Sequence, residues 1–356
     1  MLSGFNFKKI LNFYNRRGLL ALDMDDTGIR FVKTVQDKQK QFSVAQFFLY
    51  PLLEEKLEEK EIRALRDFVR ANDFQDMDVA TNIEDISLKI RRVEVPKMPD
   101  YDLIEAVKWE LREVIEGPME DYVFRYSPIE ELTSGESSRL SLVAYAIHKR
   151  AIQGRFHWLK SLGLNPVIVE PNAVALLAGF NSFHQWVKGE HHGVLHLGWK
   201  RSLFIVVSQG RLFFSRPTEK ISVEHCLAML QEAVPLSKEK YDNIKSLCTQ
   251  KGGDFVKSFG DSENVRSILG RCYQQFSLEL QSSIDAFSVM FHVERVNSIT
   301  LSGCGAFLPQ LKEYFETNIG ITARQWQVTM RGRRVFEGLD PYFSIALGLS
   351  LPQEYP

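Results

Sequence analysis

Residues 19–34 read LLALDMDDTGIRFVKT. Leu19 to Met24 is a short apolar run of strand length, Ile29 to Val35 is a second one, and Gly28 punctuates the acid-rich turn between them. A third run, Gln41 to Leu49, completes a meander. The same grammar returns far down the chain. Val194 to Leu197, a Gly198 turn, Leu203 to Val207, a Gln209-Gly210 turn and Arg211 to Ser215 again spell three strands in a row. Two glycine-punctuated meanders in one chain predict duplicated α/β domains facing each other.

Working outward, Leu57 to Ala71 has the spacing of an amphipathic helix. "MDVATNIEDISLKIRRVEVP" returns to strand alternation before Pro96 and Pro99, and a helix follows from Tyr101 to Ile115. "EDYVFRYSPI" and "SRLSLVAYAI" read as strands around the turn Thr133 to Ser138. Helix Lys149 to Leu162 ends at Gly163, and Pro166 to Glu170 reads as a buried strand. The polar stretch His184 to His192 marks a domain boundary. Beyond the second meander helices dominate to Phe291, followed by a strand, glycine turn and helix, and by a terminal helix in "DPYFSIALGLSL".

Composition narrows the function classes. A chain of 356 residues with a net charge of −1 lacks the cationic excess on which phosphate-backbone binding depends, so no nucleic-acid partner is expected. No apolar run reaches the roughly 18 to 20 residues that cross a bilayer. Cys226, Cys248, Cys272 and Cys304 form no C-x-x-C pair, which fits a reducing compartment. Phe7, Ile10, Leu11 and Tyr14 fall on one helical face flanked by Lys8, Lys9, Arg16 and Arg17. That pattern fits a segment lying on an anionic membrane surface, but the stripe is short, which favours a terminal helix packed on its own domain or frayed.

Several strings carry a family resemblance. "LALDMDDTGIRFVKT" is similar to the first phosphate loop of the actin-like ATPase superfamily, usually written Leu-Asp-Ile-Gly-Ser-Ser-Ser-Val-Lys. "LKIRRVEVPKMPDYDLIEAVKWELREVI", "MEDYVFRYSPI" and "LVAYAIHKRAIQGRFHWLKSLGLNPVIVEPNAVALLAGF" resemble successive blocks of the FtsA-like PilM family of type IV pilus inner-membrane assembly proteins. "FSLELQSSIDAF", "ITLSGCGAFLP" and "FSIALGLSL" resemble blocks of its second half, in the same order.

The resemblance implies an α/β fold of two actin-like (ribonuclease H-like) domains around a cleft, with an FtsA-type small inserted subdomain. The implied division is an N-terminal segment 1–18, a first domain 19–82 and 163–190, an insert 83–162, and a second domain 191–356. The function implied is a scaffold in the bacterial cytoplasm, at the inner face of the inner membrane. It would bind the cytoplasmic tail of a PilN-like inner-membrane protein, associate with the membrane through that partner, and link the platform to the pilus motor. Arg91 and Arg92, on opposite faces of one strand, are the candidate partner contacts; the rival reading of that strand is an edge protected by charge.

For a nucleotide, the resemblance implies ATP and magnesium held by Asp23, Thr27, Gly28, Arg30, Gly198, Asp242, Lys245, Gly303 and Gly305, with Asp23 on the metal. The residues depart from that pattern at the phosphates. Asp25 stands for a glycine and Asp26 for a serine, and each extra carboxylate beside a phosphate costs about 1 kcal/mol even at solvent-like dielectric. His196 stands where the second loop has an aspartate, Trp199 where it has a small residue, and Ser222-Val223 where a double glycine is usual. The expectation is a pseudo-ATPase without catalytic residues, its nucleotide binding weakened or lost. The alternatives are an active ATPase of the same machine and the cytoplasmic component of a type II secretion platform.

Overall fold

The computed structural model describes residues 19–36, 42–52, 58–134, 137–233, 237, 239, 241–242, 244–245, 262–330, 333–336, 338 and 340–351. Phe7, Ile10, Leu11 and Tyr14 lie outside the described residues. Among the described residues, three sheets of three or more strands organise the chain, beside a two-stranded pair, Thr329–Met330 with Arg333–Arg334. The first is built from β1 (Leu19–Met24), β2 (Gly28–Gln36), β3 (Phe42–Pro51), β4 (Asp78–Ile83) and β8 (Asn165–Pro171), in the order β3-β2-β1-β4-β8. The intervening strands β5 (Lys89–Pro96), β6 (Tyr122–Ser134) and β7 (Ser137–His148) form a separate sheet ordered β5-β7-β6. The last contains β9 (His192–Leu197), β10 (Ser202–Ser208), β11 (Arg211–Thr218), β12 (Ser298–Ser302) and β13 (Thr322–Gln325), ordered β11-β10-β9-β12-β13.

The two five-stranded sheets repeat one plan. In each, the first three strands form an antiparallel meander, and two parallel strands are added beside the first strand. Parallel strands need crossovers, and the crossovers cover both faces with helices, so the central strands carry almost unbroken apolar runs. β1 shows the consequence residue by residue. Leu20 and Leu22 point into a core with Leu65, Val69 and Phe74, while Leu19 and Ala21 point to the opposite face, toward Ala175 and Leu347.

Two helices settle where chain order alone places them elsewhere. Helix α3 (Lys149–Ser161), which follows the middle sheet in sequence, buries Leu159 in the core of the first sheet with Leu65 and Val69 of α1 (Glu59–Ala71). The terminal helix α8 (Ser344–Ser350) returns to the first sheet and crosses α4 (Asn172–Asn181). Gly348 makes that crossing: a Cβ there would stand 1.7 Å from the Ala175 carbonyl oxygen. The Thr34 hydroxyl also donates to the Ser350 carbonyl at 2.8 Å.

The middle sheet carries α2 (Asp100–Leu111) on one face, with a core of its own around Val93, Val107, Phe124 and Leu142. The helix stops short of the predicted Ile115 because the Arg112 amide turns back to the Trp109 carbonyl, at 3.2 Å, and a turn follows. The opposite face meets the second lobe. Ile129, Val143 and Tyr145 share a core with β10 and β11, and Arg211 donates to the Ile129 carbonyl. In the second lobe, α5 (Val223–Ala233) and the long α6 (Glu263–Phe291) pack together, and α7 (Leu311–Ile319) lies beside β13. Among the described residues no helix is long and apolar enough to cross a membrane.

Candidate functional site

The β1–β2 turn, at the end of the first sheet, holds a closed set of polar contacts. The hairpin register pairs Asp23 with Arg30 directly across the two strands. The Arg30 Nε donates to Asp23 Oδ2 at 2.7 Å, and its Nη2 reaches Asp25 Oδ2, also at 2.7 Å. The other Asp25 oxygen accepts the Thr27 amide at 2.8 Å, the Thr27 hydroxyl at 2.6 Å and the Gly28 amide at 3.2 Å. The Arg30 guanidinium also stacks over the Tyr342 ring, 5.4 Å from its centroid. A fork of five donors suits two carboxylates in this geometry better than an ammonium would.

Electrostatics follow from that arrangement. Burial pushes the Asp23 carboxyl up to about 6, with Arg30 opposing the rise. Burial works on Asp25 in the same sense, but the Arg30 guanidinium and the Thr27 hydroxyl and amide outweigh it and hold this carboxyl below its ordinary value. Asp23 Oδ1 is buried and accepts no hydrogen bond.

The second turn, Leu197 to Ser202, is packed rather than charged. The Trp199 indole is buried, 6.1 Å edge-on from the Tyr241 ring. The Gly198 amide donates to the Ser202 hydroxyl at 3.2 Å, and the Gly198 and Trp199 carbonyls accept the Val223 and Glu224 amides at 3.2 and 2.9 Å. The start of α5, where a double glycine was expected, is thereby capped by the turn itself. His196, buried on β9, shares a 3.0 Å hydrogen bond between its Nδ1 and the Ser302 hydroxyl on β12. Burial pulls this imidazole down to about 4, so it is neutral at physiological pH.

Gly303 and Gly305 close the third side. Gly303 adopts φ 77°, and a Cβ there would lie 2.4 Å from the Leu197 carbonyl oxygen. Its amide donates to the Pro341 carbonyl at 2.8 Å, tying this turn to the segment that carries Tyr342. Lys245 is buried and Asp242 half-buried. Lys245 acts on Asp26 together with Lys200 and Arg201, and Arg201 also acts on Glu84. Burial and the neighbouring Asp25 nonetheless push the Asp26 carboxyl up, and burial pushes Glu84 up, so these cations oppose the rise without reversing it.

Seven of the nine predicted residues fall into two groups, with Asp242 and Lys245 on their own segment. Asp23, Thr27, Gly28 and Arg30 are joined in one network, while Gly198, Gly303 and Gly305 meet around Leu197 and His196. Arg92 stands apart. It pairs with Glu94 at 2.7 Å, donates to the Ser141 hydroxyl at 2.9 Å, and lies over the Phe291 ring at 4.5 Å, so it fastens the middle sheet to α6. Arg91 is exposed on β5. The sequence reading missed Glu84, Arg155 and Tyr342, which act on the first turn from β4's end, α3 and the segment before α8. Nothing in their spacing marked them.

A triphosphate with magnesium needs free amide donors at the first turn and an open carboxylate at Asp23. The Thr27 and Gly28 amides already serve Asp25, and one Asp23 oxygen already serves Arg30. The phosphate's amide donors are thus taken, whereas Asp23 Oδ1, buried without a partner, is not. Among the described residues, no cluster of three or more His, Cys, Asp or Glu stands close enough to hold a metal ion.

Comparison with known proteins decides the family. The family model described as type IV pilus assembly protein PilM matches residues 21–351. The chain belongs to the PilM family. A solved structure titled "PilM-PilN type IV pilus biogenesis complex" contains a chain that superposes with a TM-score of 0.76, at 18% identity, covering 94% of this chain and 98% of that one. The ethanolamine utilization protein EutJ from Carboxydothermus hydrogenoformans superposes with a TM-score of 0.52 at 12% identity, over 93% of this chain and 88% of its own. A comparison by sequence with curated proteins found no match. As a PilM family member with these fold neighbours, the chain has the actin-like ATPase fold: two α/β lobes around a cleft.

Proposed function

We propose that this chain is an adaptor of a type IV pilus assembly machine, at the cytoplasmic face of the inner membrane. It binds the cytoplasmic tail of a PilN-like inner-membrane protein and links that platform to the motor. The observation that carries this reading is the family match over residues 21–351, which takes in both lobes and the middle sheet. The solved PilM–PilN complex supports the partner class. The extended tail docks by strand addition along β5, whose outer edge has no partner strand among the described residues and whose Arg91 is exposed.

The division that suits this role is a first domain of 19–82 and 163–190, an insert of 83–162 and a second domain of 191–356. Across that division, α3 buries Leu159 in the first sheet's core and the Thr34 hydroxyl donates to the Ser350 carbonyl of α8. Nucleotide binding is weakened or lost in this reading, and recognition of the tail does not call on ATP hydrolysis. The test is a binding titration of the purified chain with the cytoplasmic peptide encoded beside its gene, with and without magnesium ATP. Saturable binding that ignores the nucleotide is expected. Absence of binding in both conditions overturns the adaptor role, and binding that appears only with magnesium ATP overturns the nucleotide-independent part.

A further inference from the structure

Helix α6 buries Cys272, Phe276, Leu280 and Phe287 in the core of the second lobe, and its other face is open to solvent. Between Arg271 and Asp285 the exposed residues are Gln274, Gln275, Leu278 and Ser282. None of them is charged, although 25% of the chain is, and a solvated helix face ordinarily carries charge. Leu278 stands 67% exposed in the middle of that stripe. Glu279, at its flank, is mostly buried and already engaged by Arg216 at 3.6 Å and Lys220 at 3.4 Å. Beside Leu278 runs a groove of about 500 Å³, lined by Glu219, Lys220, His225, Gln275, Leu278 and Glu279.

The spacing along the stripe is that of a seam between two helices. Arg271, Gln275, Leu278, Ser282, Asp285 and Val289 recur alternately four and three residues apart, and all are exposed. The order of residues is also self-complementary. Arg271 lies seven residues before Leu278 and Asp285 seven residues after it, about 10 Å along the axis in each direction. Two copies laid antiparallel about a two-fold axis at Leu278 bring residues equally distant from it face to face. Each Arg271 then meets the partner's Asp285, each Gln274 meets the partner's Ser282, and the two Leu278 side chains meet at the axis. A parallel pair would set Arg271 against Arg271 and Asp285 against Asp285, so the charges choose the antiparallel one. Arg271 and Asp285 are in no ion pair among the described residues; Asp285 accepts only the Gln281 side-chain amide, at 2.7 Å.

We propose that this face of α6 is an interface between two copies of the chain: the helices pair antiparallel about Leu278, beside the groove, and two Arg271–Asp285 pairs close the ends. A single helix pair lies at the small end of specific interfaces, so the dimer is weak and depends on concentration, as suits molecules gathered at one assembly. This goes beyond the adaptor reading and stands without it.

The test is sedimentation velocity of the full chain over a concentration series, for the wild type, Arg271→Glu, Asp285→Arg and an equimolar mixture of the two variants. The wild type is expected to move from monomer to dimer as concentration rises. Arg271→Glu alone sets two acids together at each end, and Asp285→Arg alone sets two cations there. Each is expected to weaken association about tenfold. In the mixture every acid faces a cation again, and association returns to about the wild-type strength. That recovery also shows that both variants fold. Leu278→Asp, which sets two carboxylates at the axis, is expected to leave monomer only. A wild type that stays monomeric up to its highest soluble concentration overturns the proposal. So do single variants that associate as the wild type does, a mixture no stronger than its components, or a dimer that persists in Leu278→Asp.

Discussion

The two five-stranded sheets share one strand order and one pattern of pairing, yet the turns they present to each other differ in chemistry. The first turn is held by a buried ion network of Asp23, Asp25 and Arg30; the second is held by a buried indole and by amides donated from α5. Topology is set by many small apolar contacts and survives substitution at any one of them. A turn depends on a few polar groups, so its chemistry can change completely while the sheet behind it stays the same. The lobes therefore keep one plan, while each turn is held by contacts of its own.

Breaking the two turns separately gives different signatures. Arg30→Met has the largest effect, because it leaves Asp23 buried beside an unpaired Asp25. Unfolding in denaturant is expected to show a loss of about 3–5 kcal/mol at neutral pH. That loss shrinks in acid as Asp23, whose pKa is about 6, becomes protonated. Trp199→Ala is expected to cost about 3 kcal/mol through the cavity it leaves, with no such pH dependence. Equal pH dependence in the two variants would erase the contrast between an ionic and an apolar turn.

Glu170, at the end of β8, sharpens the comparison within the first lobe. It is buried, neither oxygen accepts a hydrogen bond, and burial pushes its pKa up to about 8. An acid whose folded pKa lies above its unfolded value of about 4.3 contributes stability at low pH that is lost as pH rises toward 8. Glu170→Gln is therefore expected to change stability least at pH 4 and to raise it progressively as pH climbs from there to 8, by several kcal/mol in order of magnitude, read from thermal or denaturant unfolding at both ends. The smallest effect belongs to the second lobe. Ser302→Ala removes the partner of His196 Nδ1 and costs about 1 kcal/mol. It also leaves the neutral imidazole open to a new partner, which the ring's NMR tautomer signals report.

Much of this was legible in the sequence for physical reasons. The meanders announce themselves because β1 and β9 are buried on both faces and so are mostly apolar, interrupted in β1 by Asp23 and in β9 by His192 and His196. The departures at Asp25, His196 and Trp199 are visible because they put charge or bulk where a phosphate needs room. What Asp25 does there was not visible. A carboxylate reads as repulsive to a ligand until the hairpin register shows Arg30 opposite Asp23 and within reach of both acids. Counting back from the Gly28 turn gives that pair, so the signal was present in the spacing. The homes of α3 and α8 were not. Leu159 and Gly348 belong to the first lobe by packing across long sequence separations, and chain order places them with their neighbours. Arg92 reads as a free strand cation, and only the approach of Phe291 and Met290 from α6 shows that it is already engaged.

The central claim is that the first turn carries its own anion and cation. Titration of the wild-type chain with a fluorescent ATP analogue, in magnesium and in EDTA, tests it most directly. No saturable, magnesium-dependent signal is expected at micromolar analogue. Tight binding that disappears when the metal is removed would contradict it, because the Thr27 and Gly28 amides and Asp23 would then have to leave Asp25 and Arg30 to take the nucleotide.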